Sequence, residues 1–561
     1  MTKKNIYDSV FILIVTTICH FLFSKYGFNP TDEGFVLSSS NRLLHGQIPH
    51  VDFSSVRPLG YAYLHIPELL ISKKQIFLVS RFVFWFEQVL IAFFWIQFLK
   101  KTLKVEITTY NKYLFTIICF IFNVHYFPAS VLHTIDGLLM CILGLNLVIS
   151  SQKKWNYLGY FLIGFAALCK QNYLIVLPIT LLLFHRINLW KNFIFGLLPI
   201  IIYVGIISIY GGFQDFCIQL GGHHELLKVG LFSYLFNPIF LFVFFLFLSL
   251  RFLSFRYMLK DDNLDGIFKN LRTLIIQICI FYYLILMISN HYHGKWSYML
   301  VAILAAELVF VFLKKCGFFG FVEGERKSNE NEYNSSIYIG KEIKIALITL
   351  VLTWCVSISV GYNTPALFIG GCISWFMFIS NKYAIINDSF KPRKIIELVL
   401  IIIYCSIFIG ARYIYTYRDS CLIHLNYKLD NIVKGANGIY TNKNNFLVLT
   451  ELDSLKKSNP NLIALPDFTA CNIMQSHRSK ILTEWPNKTE IPNDKILKKI
   501  ISKIENDSNA IYAIPIFQTA LLKDGFMPLE NSGLDYPIIR WIKQHYPTKK
   551  YVNYFEIRSK E

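Results

Sequence analysis

The chain has 561 residues, 54% of them hydrophobic and only 16% charged, with a mean hydropathy of +0.44 and a formal charge of +19 at pH 7. A soluble protein of this length needs far more polar surface to cover its cores, so the composition excludes an ordinary soluble fold. The positive excess does not require a nucleic-acid partner, because membrane topology accounts for most of it.

From the N-terminus onward, apolar runs of about 15–24 residues recur through the first three quarters, close to the roughly 20 that cross a bilayer as a helix. They predict about thirteen transmembrane helices, at 9–27, 76–99, 113–127, 135–150, 155–169, 171–187, 193–210, 234–253, 273–290, 297–313, 343–361, 365–381 and 395–412. No small-residue cleavage site follows the first run and many more spans come after it, so it reads as a span and not as a secretory signal. Between the first two runs lies a long loop, residues 28–75. Its segment Phe35 to Leu44 sets apolar residues among Ser, Asn and Arg and predicts a short interfacial helix. A second amphipathic segment, RPLGYAYLHIPELLI, is interrupted by Pro58 and Pro67. Residues 323–344 are polar and read as a cytoplasmic loop. Residues 413–561 return to soluble composition, with turn signals and two apolar segments, NLIALPDF and NAIYAIPIF, that predict buried strands. The expected architecture is a polytopic α-helical membrane module over 1–412 and a C-terminal α/β soluble domain over 413–561, long enough for its own core.

Orientation follows from the lysines and arginines of the short loops. With the N-terminus in the cytoplasm, inside loops hold about 25 of them and outside loops about eight, and every loop agrees with the alternation. An odd number of spans then places the C-terminal domain outside. The twelve cysteines lie mostly in or beside spans; Cys421 and Cys471 fall in the tail, where a disulfide is permitted. There is no CxxC, HExxH, Walker loop or 20–50-residue repeat, and without a nucleotide-binding motif an ATP-driven pump is disfavoured.

The polar candidates gather in the outer loops. Asp32 and Glu33 stand just past the first span. Asp32 has two readings: a cap for a helix beginning near Gly34, with Glu33 as a first-turn acid, or a partly desolvated carboxylate at the membrane edge, suited to general-base work. Lys170 sits between two spans, either snorkelling to water or meeting an anion. Arg57, before Pro58, either clamps a phosphate or is solvated. His133 and Asp136, three residues apart, share a face at the start of a span; Asp136 is either an N-cap or a second active-site acid. Further candidates are Asp52 in HVDF, His293 and Lys295 in HYHGKW, and Asn363 in SVGYNTPALFIG. No set of metal ligands is clear, and metal dependence stays open.

The stretch TDEGFVLSSSNRLLHGQIPHVDFSSVRPLGYAYLHIP, with its acidic pair, interfacial helix, G-x-x-P-x-x-D-F and proline-containing approach to the next span, resembles the first external loop of the GT-C glycosyltransferases. The similarity is to the branch of the protein O-mannosyltransferases and the bacterial aminoarabinose transferases. GFAALCKQNYLIVLP, Gly164 to Pro178, resembles the same family's Gly-x-x-x-x-x-Lys turn between two spans. The resemblance implies a GT-C fold in the inner membrane and an inverting transfer of sugar from a polyprenyl-phosphate donor to a lipid, glycan or protein acceptor on the outer face. By that resemblance Asp32 is the base; Glu33, as its partner in orienting acceptor or donor, and Asp136 are the further catalytic candidates, and Lys170 and Arg57 the candidate contacts of the donor phosphate. Two other classes compete: a lipid-linked-glycan transporter or flippase, which Glu87 and Glu307 within spans would suit, and a polysaccharide ligase or polymerase.

Overall fold

The computed structural model describes residues 3–560, apart from 125–127, 185–187, 223, 258–261, 290–293, 316–330, 359–364, 385–390, 467, 474–481, 489, 492, 508 and 518–535. The molecule is mostly helical, with a small sheet region near the C-terminus. Its first half runs α1 (Lys3–Phe23), α2 (Asp32–Leu44), α3 (Gly60–Leu64), α4 (Ile66–Ile71), α5 (Ile76–Leu103), α6 (Thr109–Val124), α7 (His133–Val148), α8 (Lys153–Cys169), α9 (Val176–Phe184) and α10 (Leu189–Ile209). It continues through α11 (Phe213–Gly221), α12 (His224–Leu235), α13 (Pro238–Tyr257), α14 (Asp262–Ser289), α15 (Tyr298–Lys315), α16 (Asn331–Ser357), α17 (Ile369–Ala384) and α18 (Lys391–Ile414).

Each of the thirteen predicted segments overlaps a helix. Among the described residues, four helical stretches are by themselves long and apolar enough to cross a membrane: Asn5–Phe23, Ile76–Leu103, Leu189–Ile209 and Pro238–Arg256. Burial sorts them. The stretch in α5 is 67% buried and forms the middle of the bundle, whereas those in α1, α10 and α13 are 22–28% buried and turn apolar side chains outward. Phe21, Ile209 and Phe242 are exposed by 66%, 83% and 69%. Such apolar faces are stable against lipid and not against water.

Close backbone approach holds the bundle together. A methyl group on Gly164 of α8 would lie 1.7 Å from the Gly196 carbonyl oxygen of α10, so only hydrogen fits where these helices cross. Inside the bundle Trp95 donates to the Gly371 carbonyl at 3.2 Å, and Asn123 accepts from the Gly370 amide at 2.9 Å.

After α18 the chain forms β1 (Tyr427–Lys428), β2 (Tyr440–Thr441), α19 (Lys443–Ser458), β3 (Leu462–Ala464), α20 (Thr469–Asn472), α21 (Asp494–Glu505), β4 (Ile511–Pro515), α22 (Pro537–His545), β5 (Thr548–Tyr551) and β6 (Phe555–Ser559). The two predicted strands are β3 and β4. They pair in parallel within a four-stranded sheet of order β3-β4-β6-β5, whose other pairings are antiparallel. Strand alternation divides its faces. Ile463, Tyr512 and Ile514 point to α21, whose Ile496, Ile500 and Ile504 recur at helical spacing, and to Ile538, Ile539 and Ile542 of α22. Leu462, Ala464 and Ala513 point to α19 and to Phe28, Leu37, Leu69, Ile76 and Phe77. The second face is therefore completed by the first loop and the start of α5.

Polar contacts repeat that attachment. Tyr440 donates its amide to the Lys25 carbonyl at 2.7 Å, Ala470 to Pro30 at 2.7 Å, and Ser54 to Leu482 at 2.6 Å. Arg42 pairs with Glu484, and Lys499 of α21 pairs with Asp215 of α11 at 2.6 Å. A methyl on Gly34 would meet the Ala470 amide nitrogen at 2.1 Å. The loop and the tail thus stand together at one end of the bundle. Cys421 and Cys471 are both free thiols, so the permitted disulfide is not formed.

Candidate functional site

Helix α2 begins at Asp32, so Asp32 is not the cap of a helix starting near Gly34. The Asn29 side chain takes that role, its Oδ1 accepting from the amides of Thr31 at 2.9 Å and Asp32 at 3.3 Å. Such a local Asx turn competes well with a cap one residue into the helix. Asp32 and Glu33 are left as first-turn acids at the positive end of the helix dipole. Their side chains part. The Asp32 carboxylate is partly open, accepting from Tyr417 Oη at 2.9 Å and Asn29 Nδ2 at 3.2 Å, with Arg418 at 3.2 Å. Glu33 points inward to Arg81 of α5, which also donates to the carbonyls of Ser24, Tyr26 and Gly27. Burial pushes the Glu33 carboxyl upward against the pull of Arg81. Glu33 is therefore occupied in fastening the α1–α2 turn.

One turn beyond Asp32, Phe35 lies under the Arg57 guanidinium at 5.3 Å and beside the His133 ring. Arg57 also pairs with Glu490 of the tail at 2.6 Å. Lys170 follows α8 directly and is only 5% exposed; its Nζ donates to Thr134 Oγ1 at 3.1 Å and meets no carboxylate among the described residues. Burial, helped by the nearby Arg57, lowers its pKa to about 7. The buried Nδ1 of His133 has no hydrogen-bond partner among the described residues. Three basic side chains thus converge, and among the described residues only Arg57 is paired with an acid. That arrangement is suited to receiving an anion.

A deeper group lies against this one. His65, between α3 and α4, directs Nδ1 to Glu68 of α4 and Nε2 to Asp136 Oδ1 of α7 at 3.1 Å. Burial alone would lower the imidazole, but the Asp136 and Glu68 carboxylates hold it well above its usual value. One ligand atom each from His65, Asp136 and Glu87 of α5 lies within 4.8 Å of the other two. The sequence-predicted site is thereby divided. Asp136 belongs to the buried group, His133, Arg57 and Lys170 to the basic group, and Asp32 to the rim. Asp52 is exposed and accepts from the Ile48 amide at 2.6 Å, closing its own turn. His293, Asn363 and the Lys295 side chain lie outside the described residues.

Sequence reasoning did not single out Arg81, His65 or Glu68. Arg81 stood inside a predicted span, where an unpaired charge is costly, and that was a usable signal. His65 and Glu68 are three apart in HIPE, a spacing that places both on one helical face. Their link to Asp136 joins residues 71 positions apart and has no local signature.

A cleft of about 550 Å³ lies elsewhere, between the C-terminal end of α2, α4 and residues 431–437, with Lys73, Lys74 and Lys434 on its wall. A smaller crevice of about 40 Å³ beside Asn29, Arg81 and Tyr417 adjoins the Asp32 rim. Compared with known proteins, the chain matches no family model, no curated protein and no solved structure.

Proposed function

We propose that the chain is an inverting GT-C-type glycosyltransferase of the inner membrane, moving a sugar from a polyprenyl-phosphate carrier to an acceptor on the outer face. The observation that carries the reading is Lys170: a buried cation without an acidic partner among the described residues, beside Arg57, whose guanidinium lies over Phe35 one turn beyond the partly open Asp32. A burial this complete is unfavourable for a lone cation unless an anion completes it, and a donor phosphate is such an anion.

In this mechanism Asp32 accepts the proton of the acceptor hydroxyl as its oxygen attacks the anomeric carbon. The bond from that carbon to the phosphate oxygen breaks, and the electron pair leaves with polyprenyl phosphate. Lys170 and Arg57 stabilise the charge that grows on the leaving oxygens. Attack opposite the phosphate inverts the anomeric centre. Tyr417 and Arg418 hold the base in one orientation, and the tail domain, packed on the first loop, covers the acceptor side.

The buried acids Glu87 and Asp136 favour a second reading, transport of a lipid-linked glycan. One experiment separates the two. Purified chain is reconstituted without any gradient and given radiolabelled polyprenyl-phosphate monosaccharides, with diphosphate-linked oligosaccharides as the comparison. Release of polyprenyl phosphate together with a labelled acceptor supports transfer. Translocation without cleavage, or turnover of the diphosphate donor alone, rejects it.

A further inference from the structure

We propose that His65, Glu87 and Asp136 bind a first-row divalent cation, Zn²⁺ or Mn²⁺, that fastens the first loop to helices α5 and α7. The three come from three separate elements. His65 sits at the junction of α3 and α4, Glu87 stands about 16 Å along α5 at 1.5 Å per residue, and Asp136 lies in the first turn of α7. A cation at their meeting point would tie together parts of the fold that no covalent link joins.

Four observations converge on this. First, the 3.1 Å between His65 Nε2 and Asp136 Oδ1 suits two ligands of one ion, since bonds of about 2.0–2.1 Å set neighbouring ligands about 2.9–3.4 Å apart. The full set lies within 4.8 Å, and opposed ligands at such bonds are about 4.2 Å apart, so closure needs an adjustment of roughly half an ångström. Second, Glu68 holds His65 Nδ1 and leaves Nε2 facing the acids. A carboxylate behind a histidine, fixing its tautomer and ring angle, is the usual support of a metal-ligating imidazole.

Third, the charges do not balance. Three carboxylates surround one imidazole, and no lysine or arginine among the described residues bonds to any of them. Fourth, Glu68 Oε2, Glu87 Oε2 and Asp136 Oδ2 are buried and accept from no N–H or hydroxyl donor among the described residues, on residues only 2%, 7% and 0% exposed, so that beyond His65 the Glu87 and Asp136 carboxyls have only each other within hydrogen-bonding reach. Buried polar atoms are rarely left so. A mixed nitrogen and oxygen set selects Zn²⁺ or Mn²⁺ over Mg²⁺ and Ca²⁺, which prefer oxygen alone. Three protein ligands leave a four-coordinate ion one position for water, and since all three residues are buried, the role assigned to the ion is to fasten the loop. The inference does not rest on the glycosyltransfer reading, and its test involves no turnover.

The test uses the full chain in detergent, stripped with chelator and then equilibrated with buffered Zn²⁺, Mn²⁺ or Co²⁺. Bound metal is measured by mass spectrometry, and Co²⁺ by its visible absorption. Wild type is expected to retain about one equivalent of metal, with a Co²⁺ spectrum distinct from the aquo ion. His65→Ala, Glu87→Gln and Asp136→Asn should each abolish retention, and Glu68→Gln should weaken affinity roughly 10–100-fold. Should a variant fail to elute as a monodisperse species, the wild-type stoichiometry and Co²⁺ spectrum decide alone. Wild type retaining less than about a tenth of an equivalent of every ion overturns the proposal, leaving a proton shared between Glu87 and Asp136. Unchanged retention in Asp136→Asn also overturns it.

Discussion

Glu33 and Asp136 are both buried carboxylates at the same end of the bundle, yet they live in opposite circumstances. Glu33 meets Arg81, and that guanidinium spends its remaining donors on three backbone carbonyls, so the whole group is satisfied. Asp136 meets an imidazole already claimed by Glu68, keeps one oxygen without a donor among the described residues, and adjoins the carboxyl of Glu87, which does the same. The first arrangement is closed and needs nothing further; it fixes the turn that presents Asp32. The second is short of positive charge, and so is the neighbouring basic group short of negative charge at Lys170. In a low-dielectric surrounding, each imbalance marks a place where something else belongs.

Breaking the closed group should have the largest effect. Arg81→Ala leaves Glu33 buried and unpaired, and unfolding in detergent should show a loss of about 3–5 kcal/mol. A smaller loss in Arg81→Ala combined with Glu33→Leu would show that the uncompensated acid, not lost packing, dominates. The charge-deficient group should respond differently. Chelator should lower wild-type stability by about 2.7 kcal/mol relative to cation at a hundredfold excess over Kd, and should leave Asp136→Asn unmoved.

The interface that carries both groups sharpens the contrast further. Gly34→Ala drives a methyl into the Ala470 backbone and should destabilise by about 1–3 kcal/mol, while loosening the tail from the first loop as read by protease cleavage between them. The smallest effect concerns protonation of Lys170. Its pKa of about 7 lies below the usual lysine value of 10.5, so the unfolded chain binds more protons across that window and the unliganded fold gains stability as pH rises through it. Donor binding has the opposite sign, because it needs the cation. Affinity should fall by up to about tenfold per pH unit above 7, or 1.4 kcal/mol, and Lys170→Arg should remove that dependence. A flat wild-type profile would show that Lys170 does not meet the phosphate.

These contrasts also explain what the sequence made legible. Apolar runs predicted helical segments that the structure contains, because hydropathy over some twenty residues is a local property. The β3 and β4 segments were readable for the same reason: each is a short apolar run between turn residues. Asp32 was identified, but its role as a cap was not kept, since the helix begins at Asp32 itself and an Asx turn at Asn29, three residues earlier, satisfies the Thr31 and Asp32 amides. Glu87 was read as a mark of transport, because its partners are fixed only when α4, α5 and α7 assemble. Arg57 and Lys170 were named from separate loops, while the packing of Phe35 and His133 that brings them together is a property of the fold.

The central claim is that Asp32 serves as the base in sugar transfer from a polyprenyl phosphate. The most direct measurement is the rate of polyprenyl-phosphate release by wild type and by Asp32→Asn, reconstituted at equal amounts with a radiolabelled polyprenyl-phosphate monosaccharide. The account predicts turnover by wild type and a loss of about 10²–10⁴-fold in the variant, with its elution and unfolding unchanged. Equal turnover by a correctly folded Asp32→Asn would contradict it.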